Sequence, residues 1–143
     1  MELITTHINA DFDALASMVA AKKLYPKAML AFPGAQEKNL RDFFSQSVEY
    51  LYDFQRLKNI PFGEISRLIL VDTRQASRLG ELSRCLKNPG LEIHIYDHHP
   101  ATPADLRGSL EEIRPVGSTV TIMVDIFRRR GHELCAQEAT LLA

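Results

Sequence analysis

The apolar residues of this chain recur with two different periods, and each period predicts one kind of element. Short apolar or alternating segments bounded by glycine, proline or polar residues predict strands. These segments are residues 3–5, 28–32, 68–72, 91–97 and 110–113. The run 68–71 is apolar at every position, which is typical of a strand buried on both faces of a parallel sheet. The sequence therefore predicts about four to five strands.

Between these segments, apolar residues recur at helical spacing. The predicted helices are residues 14–24, 40–51, 76–86 and 119–130. In the last of these helices, the inner face is predicted to consist of Val120, Met123, Val124 and Phe127. Strands thus alternate with helices along the chain, and this order predicts an α/β fold with a mostly parallel sheet flanked by helices.

Capping residues mark the beginnings of the first and last helices. Asp13 stands where the N-cap of the first helix belongs, so capping is an ordinary interpretation of its carboxylate. Ser118 or Thr119 can cap the last helix in the same way. Capping explains neither His7 nor Asp11, so the polar residues around the first helix need a second explanation.

The composition of this 143-residue chain is that of an ordinary globular protein, with 45% hydrophobic and 24% charged residues, and its length predicts one domain. The formal net charge of −1 provides no global field for nucleic acid, so phosphate binding must come from local groups. No apolar run approaches the ~20 residues that span a bilayer. Cys85 and Cys135 are predicted to be reduced thiols. These features predict a cytoplasmic protein that does not bind membranes.

Histidines and aspartates follow three of the predicted strands, at the point where each strand ends. They are His7, Asp11 and Asp13 after the first strand, Asp72 at the end of the third, and Asp97, His98 and His99 at the end of the fourth. Ligands bind at the carboxyl ends of the strands in such sheets, so these side chains are predicted to converge there. For the triplet 97–99 alone, a turn cap and two solvated imidazoles are an equally good explanation.

The charge of this set predicts a metal site. Two carboxylates ~5 Å apart repel each other by roughly 3 kcal/mol at an effective dielectric of about 20, and a marginally stable fold does not keep several such pairs without a counter-charge. Arg74 is the only lysine or arginine within these motifs, so divalent cations are the natural compensation. A mixed Asp and His set suits Mn²⁺, Fe²⁺ or Zn²⁺ better than Ca²⁺. Two ions sharing one carboxylate are predicted, with Asp72 shared because its strand lies between the other two groups in sequence.

The combination of these motifs resembles the DHH phosphoesterase family. The matching segments are His7-x-x-x-Asp11-x-Asp13-Ala14, Val71-Asp72-Thr73 and Asp97-His98-His99, in the order, spacing and strand placement of that family's first three motifs. The resemblance covers essentially the whole chain, residues 1–143, as the family's N-terminal domain, and implies a Rossmann-like fold. Residues 117–143 are further similar to the DHH domain that bacteria fuse to CBS domains and a poly(A) polymerase or tRNA nucleotidyltransferase module.

The resemblance implies a phosphoesterase that uses two Mn²⁺ ions, or Mg²⁺ in their place. By this resemblance, His7 and Asp11 hold one ion. Asp13 and His98 hold the other ion, and Asp72 is shared by both. The implied reaction is in-line attack of water on phosphorus, with the two cations lowering the pKa of that water.

Two further residues have roles that the resemblance implies. Asp97 orients a histidine ligand, and His99 contacts the scissile phosphate. The family's fourth motif, which carries a further aspartate ligand, has no match in this chain. The chain is therefore interpreted as a piece of a longer protein, cut before that motif, which binds metal incompletely by itself.

Two functions of different classes, and one structural hypothesis, remain open from the sequence. The first is metal-dependent hydrolysis of a phosphodiester or phosphoanhydride bond, with a nucleotide or single-stranded nucleic acid as substrate. The second is a non-catalytic module that binds nucleotide or RNA phosphates within a poly(A) polymerase or tRNA nucleotidyltransferase fusion protein. The third, a metal-free structural domain, leaves the carboxylate repulsion uncompensated. Neither the exact substrate nor the oligomeric state follows from the sequence.

Overall fold

The computed structural model of the chain describes residues 1–43 and 52–131, without the side chains of Asn39 and Phe43. Its strands are β1 Glu2–Thr5, β2 Met29–Leu30, β3 Arg67–Val71, β4 Glu92–Asp97 and β5 Leu110–Ile113. They form one sheet in the order β2-β1-β3-β4-β5, and every neighbouring pair is parallel. The predicted α/β fold with a mostly parallel sheet is therefore confirmed.

Three α-helices lie in the described part of the chain, namely α1 Phe12–Leu24, α2 Lys38–Phe43 and α3 Thr119–Arg130. Helices α1 and α3 pack against each other, and they contact β3 and β4 respectively. The predicted helix 40–51 is described only as far as Phe43, and the rest of it lies outside the described residues. No helix within 1–43 or 52–131 is long and apolar enough to cross a membrane.

The segment 76–86 forms two 3-10 helices instead of the predicted α-helix, so that prediction is wrong. The 3-10 helices are Ala76–Arg78 and Gly80–Lys87. Leu79, Leu82 and Cys85 recur every three residues and are all fully buried. This spacing matches the three residues per turn of a 3-10 helix, whose side chains at i and i+3 lie directly above one another.

The sheet divides the hydrophobic core in two, because successive residues of a strand face opposite sides. In β3, Ile69 and Val71 pack with residues of α1 and α3, whereas Leu68 and Leu70 pack with the 3-10 segment on the other side. All four side chains are fully buried, as predicted for a strand covered on both faces. Strand β3 is also the central strand and pairs with β1 and β4. Asp72, directly after β3, therefore lies between the ends of those two strands.

Two aspartates at the start of α1 differ in role from the prediction. Asp11, and not Asp13, is the N-cap of α1, and its carboxylate accepts a hydrogen bond from the N–H of Ala14 at 2.9 Å. The two oxygens of Asp13 accept hydrogen bonds from the N–H groups of Thr119 and Val120, at 3.1 and 3.0 Å. The capping prediction for Asp13 is therefore wrong for its own helix. Ser118 is the N-cap of α3, as the sequence predicted. Asp13 accepts from the first two N–H groups of that helix, 106 residues further along the chain, and no local pattern contains that contact.

The buried face of α3 is rotated from the predicted one. Met123 and Phe127 are buried as predicted, but Val120 and Val124 are only half-buried. The other buried residues of this helix are Thr119, Ile122 and Ile126. Thr119 is polar, so a pattern of hydrophobic residues does not include it. Its hydroxyl donates a hydrogen bond to Asp72. With Thr119 included, the buried positions follow the i, i+3, i+4, i+7 spacing of one helix face.

Candidate metal centre

The carboxyl ends of β1, β3 and β4 meet at one edge of the sheet, because these three strands are adjacent and parallel. A cavity of about 580 Å³ opens at this edge. The residues predicted for the site all line it, namely His7, Asp11, Asp13, Asp72, Asp97, His98 and His99. The structure thus brings together side chains from three separate segments of the chain.

Asp72 lies at the centre of this cluster. It has a left-handed backbone, with a φ of 62°, and only 3% of its side chain is exposed. Its Oδ2 lies 3.1 Å from Nε2 of His7, and its Oδ1 lies 3.1 Å from Nε2 of His98. The hydroxyl of Thr119 donates a hydrogen bond to Oδ1 at 3.0 Å. No lysine or arginine of the described residues pairs with this carboxylate.

Backbone carbonyls fix the tautomer of both histidines. Nδ1 of His7 lies 2.8 Å from the carbonyl oxygen of Ile8, and Nδ1 of His98 lies 3.1 Å from that of Val116. A carbonyl oxygen only accepts, so each Nδ1 is assigned the proton. In a neutral ring, Nε2 then carries a lone pair. Both lone pairs face oxygens of Asp72, and acceptors that face each other need a proton or a metal cation between them. Histidines that bind metals are commonly held through their other nitrogen in this way.

The pKa shifts in the cluster reflect a shortage of positive charge. Burial alone would lower the pKa of His7, but hydrogen bonds to Asp72 and to the Ile8 carbonyl outweigh it and raise that pKa. Burial alone would raise the pKa of Asp72, but hydrogen bonds from His7 and Thr119 hold it below its usual range. The pKa of Asp13 is raised, first by burial and then by the charge of Asp72. A divalent cation among these carboxylates would relieve their mutual repulsion.

Two sets of possible ligand atoms share Asp72. The sets are His7, Asp11 and Asp72 on one side, and Asp72, His98 and His99 on the other, each with its atoms within 4.8 Å of one another. The first set is the one that the resemblance implies for the first ion. The second set contains His99 where the resemblance implies Asp13, whose Oδ2 lies 3.7 Å from Nε2 of His98. Carboxylate oxygens and imidazole nitrogens around one shared carboxylate fit two divalent cations.

Asp97 is the second buried carboxylate at this edge. Its Oδ2 accepts a hydrogen bond from Nη1 of Arg74 at 2.9 Å, and its Oδ1 lies 2.7 Å from Nδ1 of His99. The backbone N–H of His98 also donates to Oδ1, at 2.9 Å. Asp97 therefore contacts the ring of His99. The ring of His98, the histidine ligand implied by the resemblance, is held instead by the Val116 carbonyl.

The residues that complete the network around Asp97 were not predicted from the sequence. Nε of Arg74 donates to Oδ2 of Asp105 at 2.9 Å, and Asp105 accepts hydrogen bonds from the N–H and the hydroxyl of Thr102. Arg74 within the second motif was the available signal, since a buried arginine requires an acidic partner. Nothing in the sequence around Asp105 identifies it as that partner.

The fold and the site define an α/β domain with an aspartate and histidine centre at the carboxyl edge of a parallel sheet. The chain belongs to the DHH family, N-terminal domain, whose family model matches residues 2–143. The resemblance carried by the three sequence motifs is therefore confirmed.

Two curated relatives are A-adding tRNA nucleotidyltransferases. The protein from Geobacter sulfurreducens is 49% identical over 142 residues, which make up 99% of this chain and 16% of that protein. The protein from Aquifex aeolicus is 30% identical over 134 residues, which make up 94% of this chain and 15% of that protein. The chain thus spans only about a sixth of the length of these relatives. The expected similarity to DHH domains fused to a tRNA nucleotidyltransferase module is confirmed.

Two solved structures share the fold of this chain. A putative family II inorganic pyrophosphatase from Methanococcus jannaschii matches with a TM-score of 0.74 at 23% identity, over 99% of this chain and 46% of that chain. An exopolyphosphatase-related protein from Bacteroides fragilis matches with a TM-score of 0.71 at 17% identity, over 99% of this chain and 43% of that chain. At these identities the likeness establishes the fold alone.

Proposed function

We propose that this domain hydrolyses a phosphodiester or phosphoanhydride bond with two divalent cations, Mn²⁺ or Mg²⁺. The observation that carries the proposal is the position of Asp72, a buried carboxylate shared by two sets of ligand atoms. A carboxylate shared between two cation positions is an arrangement typical of two-metal hydrolases. Membership of the DHH family supports the same reaction class, as do the names of the two structural relatives.

The ligands that we propose divide into two pairs around Asp72. His7 and Asp11 bind one cation, and His98 and Asp13 bind the other. Each oxygen of Asp13 accepts one backbone hydrogen bond from α3 and therefore keeps a lone pair for a cation. When bound, such ions lower the pKa of the attacking water and neutralise charge on the phosphoryl oxygens.

His99 is proposed to contact the phosphate rather than a cation. Its side chain is 53% exposed within the cavity, and its Nδ1 lies 2.7 Å from the carboxylate of Asp97. That contact holds the ring by Nδ1 and leaves Nε2 to interact with a non-bridging oxygen or with the leaving group. Arg74 holds Asp97 from the other side, so the imidazole has a defined orientation.

The proposed substrate class is a nucleotide or a single-stranded nucleic acid. The names of the curated relatives concern tRNA, which supports a substrate with a sugar-phosphate chain. The cavity of about 580 Å³ lies within the range of small-molecule sites in proteins, so it has room for one nucleotide. Because the net charge of the chain is −1, attraction for phosphate depends on the cations and on local positive groups.

The proposal is tested with full-length protein and three probes: bis(4-nitrophenyl) phosphate, pyrophosphate and an RNA oligonucleotide. Hydrolysis should require Mn²⁺ or Mg²⁺ and should be almost abolished in Asp72→Ala. Asp125→Ala is the matched control, because Asp125 is an acidic residue of α3 that pairs with Arg114 and Arg129 outside the cavity. Mn²⁺ binding without hydrolysis of any probe would contradict the proposal.

A second function is favoured by the curated relatives. They are nucleotidyltransferases by name, and this chain spans 16% and 15% of their lengths. In this alternative, the same cluster and its cations bind RNA or nucleotide phosphates, and no bond is cleaved. Mn²⁺-dependent binding of RNA without hydrolysis would favour it over the first function.

A further inference from the structure

One arginine beside the cluster has no acidic partner in the described part of the chain. Arg78 is exposed and lines the same cavity. Among the described residues, its side chain makes a single close polar contact, from Nη2 to Nδ1 of His7 at 3.2 Å. Arg74, by contrast, is buried and donates to the carboxylates of Asp97 and Asp105. Arg74 therefore already binds two carboxylates, whereas the guanidinium of Arg78 remains available to bind an anion.

The contact with His7 does not satisfy the guanidinium of Arg78. Nδ1 of His7 lies closer to the carbonyl oxygen of Ile8, at 2.8 Å, than to Nη2 of Arg78, at 3.2 Å. Since a carbonyl oxygen only accepts, we assign the proton to Nδ1. The guanidinium only donates, and two donors that face each other do not form a hydrogen bond. Binding of a cation through Nε2 of His7 requires this same tautomer. Arg78 therefore presents its charge and N–H groups to the cavity without an acceptor among the described residues.

The backbone of Arg78 is fixed beside the cluster by contacts that do not involve its side chain. Its N–H donates to the carbonyl of Gln75 at 3.0 Å, and its carbonyl accepts from the N–H of Ile8 at 2.8 Å. Two residues later, Gly80 has a φ of +52°, and a Cβ there would lie 2.5 Å from the carbonyl oxygen of Pro33. The guanidinium is thus delivered by a fixed backbone, and a substitution of this side chain should leave the fold intact.

We infer that Arg78 binds a phosphate group of the substrate, an inference that rests on the proposed function. A guanidinium presents its N–H groups as a planar fork that matches two phosphate oxygens. Apart from the paired Arg74, the charged groups of the cluster are carboxylates, which repel a phosphate. A free cation at the rim of the cavity supplies attraction beyond that of the metal ions. Arg78 holds non-bridging oxygens, and it makes and breaks no bond of the substrate.

Calorimetric titration of inorganic phosphate into Mn²⁺-saturated full-length protein tests this inference. Arg78→Ala should weaken phosphate binding by about 10- to 100-fold, the usual worth of a hydrogen bond to a charged group. Arg78→Lys should weaken it less, because the charge remains while the planar fork is lost. Arg107→Ala is the matched control and should change nothing, since Arg107 is exposed and lines a different cavity. With bis(4-nitrophenyl) phosphate, Arg78→Ala should raise KM more than it lowers kcat.

Three outcomes would overturn the inference: wild-type protein that binds Mn²⁺ but no phosphate, unchanged phosphate affinity in Arg78→Ala, or an equal loss of Mn²⁺ affinity in that variant. The last would mean that Arg78 only positions His7. The proposed function can fail separately. Phosphate binding that depends on Arg78, in a protein that hydrolyses none of the probes, leaves the inference standing and removes hydrolysis. Hydrolysis with an unchanged KM in Arg78→Ala leaves the proposed hydrolysis standing and removes the inference about Arg78.

Discussion

Two buried carboxylates lie at the same edge of the sheet, and the arginines of the described residues neutralise only one of them. Asp72 and Asp97 lie at the ends of adjacent strands, with 3% and 1% of their side chains exposed. Asp97 is paired with Arg74, whose guanidinium also reaches Asp105. Asp72 is surrounded by imidazoles, a hydroxyl and another carboxylate, with no lysine or arginine from the described residues.

A buried charge needs a partner, and these two carboxylates obtain one from different sources. Asp97 obtains its cation from the protein, so its network is complete as folded and can orient His99. Asp72 has no arginine or lysine partner within residues 1–43 and 52–131, so its charge is available to a metal ion. Substitutions at Asp72 should therefore affect chemistry, and substitutions around Asp97 should affect folding.

The largest effect should come from Asp72→Ala in full-length protein, whose turnover should fall close to background. If Asp72 is the shared ligand that we propose, Mn²⁺ affinity should fall by more than the roughly 10- to 100-fold typical of residues that only orient ligands. The fold should survive, because one of several mutually repelling carboxylates is removed. Hydrolysis rates, Mn²⁺ calorimetry and circular dichroism in the presence of a chelator measure these three expectations.

Asp125→Ala controls for the removal of an acidic side chain elsewhere. Hydrolysis within a few-fold of wild type in Asp72→Ala would rule out the shared role. A variant that no longer folds would place Asp72 with Asp97 as a structural acid. Either result would break the comparison between the two carboxylates.

A second, smaller effect should separate the two histidines that follow β4. His98→Ala should weaken Mn²⁺ binding, because its Nε2 lies 3.1 Å from Asp72. His99→Ala should spare Mn²⁺ binding, since Asp97 holds its ring, and should lower kcat by about 10²- to 10⁴-fold, the usual range for a general acid or base. Mn²⁺ calorimetry and steady-state kinetics on both variants measure this difference. Equal losses of Mn²⁺ affinity would mean that His99 belongs with Asp72, as its position within the second set allows.

The sheet could be predicted from the sequence because each strand carries its own pattern. The unbroken apolar run before Asp72 and the alternation that ends at Asp97 identify both strands. The rule for the carboxyl ends of parallel strands then places both acids at one edge. The 3-10 helices after β3 were not predicted, because burial every three residues resembles burial every three or four residues over so few turns.

The difference between Asp72 and Asp97 could not be predicted, because it depends on contacts between distant segments. Arg74 comes two residues after Asp72 in sequence, yet its side chain pairs with Asp97 and Asp105. Asp13 likewise belongs to the start of α1 by sequence but accepts hydrogen bonds from the first two N–H groups of α3. Spacing identifies which residues are candidates for a site. Packing decides which carboxylate each cation neutralises.

Removal of the buried guanidinium of Arg74 should produce the third effect, which is on stability rather than on metal binding. Arg74→Met leaves the buried charge of Asp97 without a partner, which should lower the free energy of unfolding by about 3–5 kcal/mol. Adding Asp97→Asn to this variant should recover part of the loss, because the unpaired charge is gone. Urea unfolding in the presence of a chelator measures both variants against Arg107→Met, which removes an exposed arginine. Unchanged stability in Arg74→Met would show that Asp97 does not depend on its arginine.

The smallest expected effect is a pH-dependent one at the far end of the same network. Hydrogen bonds from the N–H and hydroxyl of Thr102, and then the guanidinium of Arg74, lower the pKa of Asp105 from the usual 3.8 to about 2. A carboxylate whose pKa is lowered by folding stabilises the fold above its usual pKa, and that contribution is lost as the pH falls through the lowered value. Asp105→Asn should therefore cost stability near neutral pH, and its deficit relative to wild type should shrink between about pH 4 and pH 2.

Denaturant unfolding of wild type and Asp105→Asn at about pH 6 and about pH 3, with a chelator present, measures this change. The chelator matters because metal at Asp72 would add its own pH dependence to the wild-type curve. Glu81→Gln is the control for removal of an acidic side chain, since Glu81 is an exposed acid outside the cavity. A deficit in Asp105→Asn that stays constant or grows on acidification would mean that the charge of Asp105 does not stabilise the fold. Asp97 would then be the only carboxylate of this network whose charge stabilises Arg74, and the network would reduce to one buried ion pair.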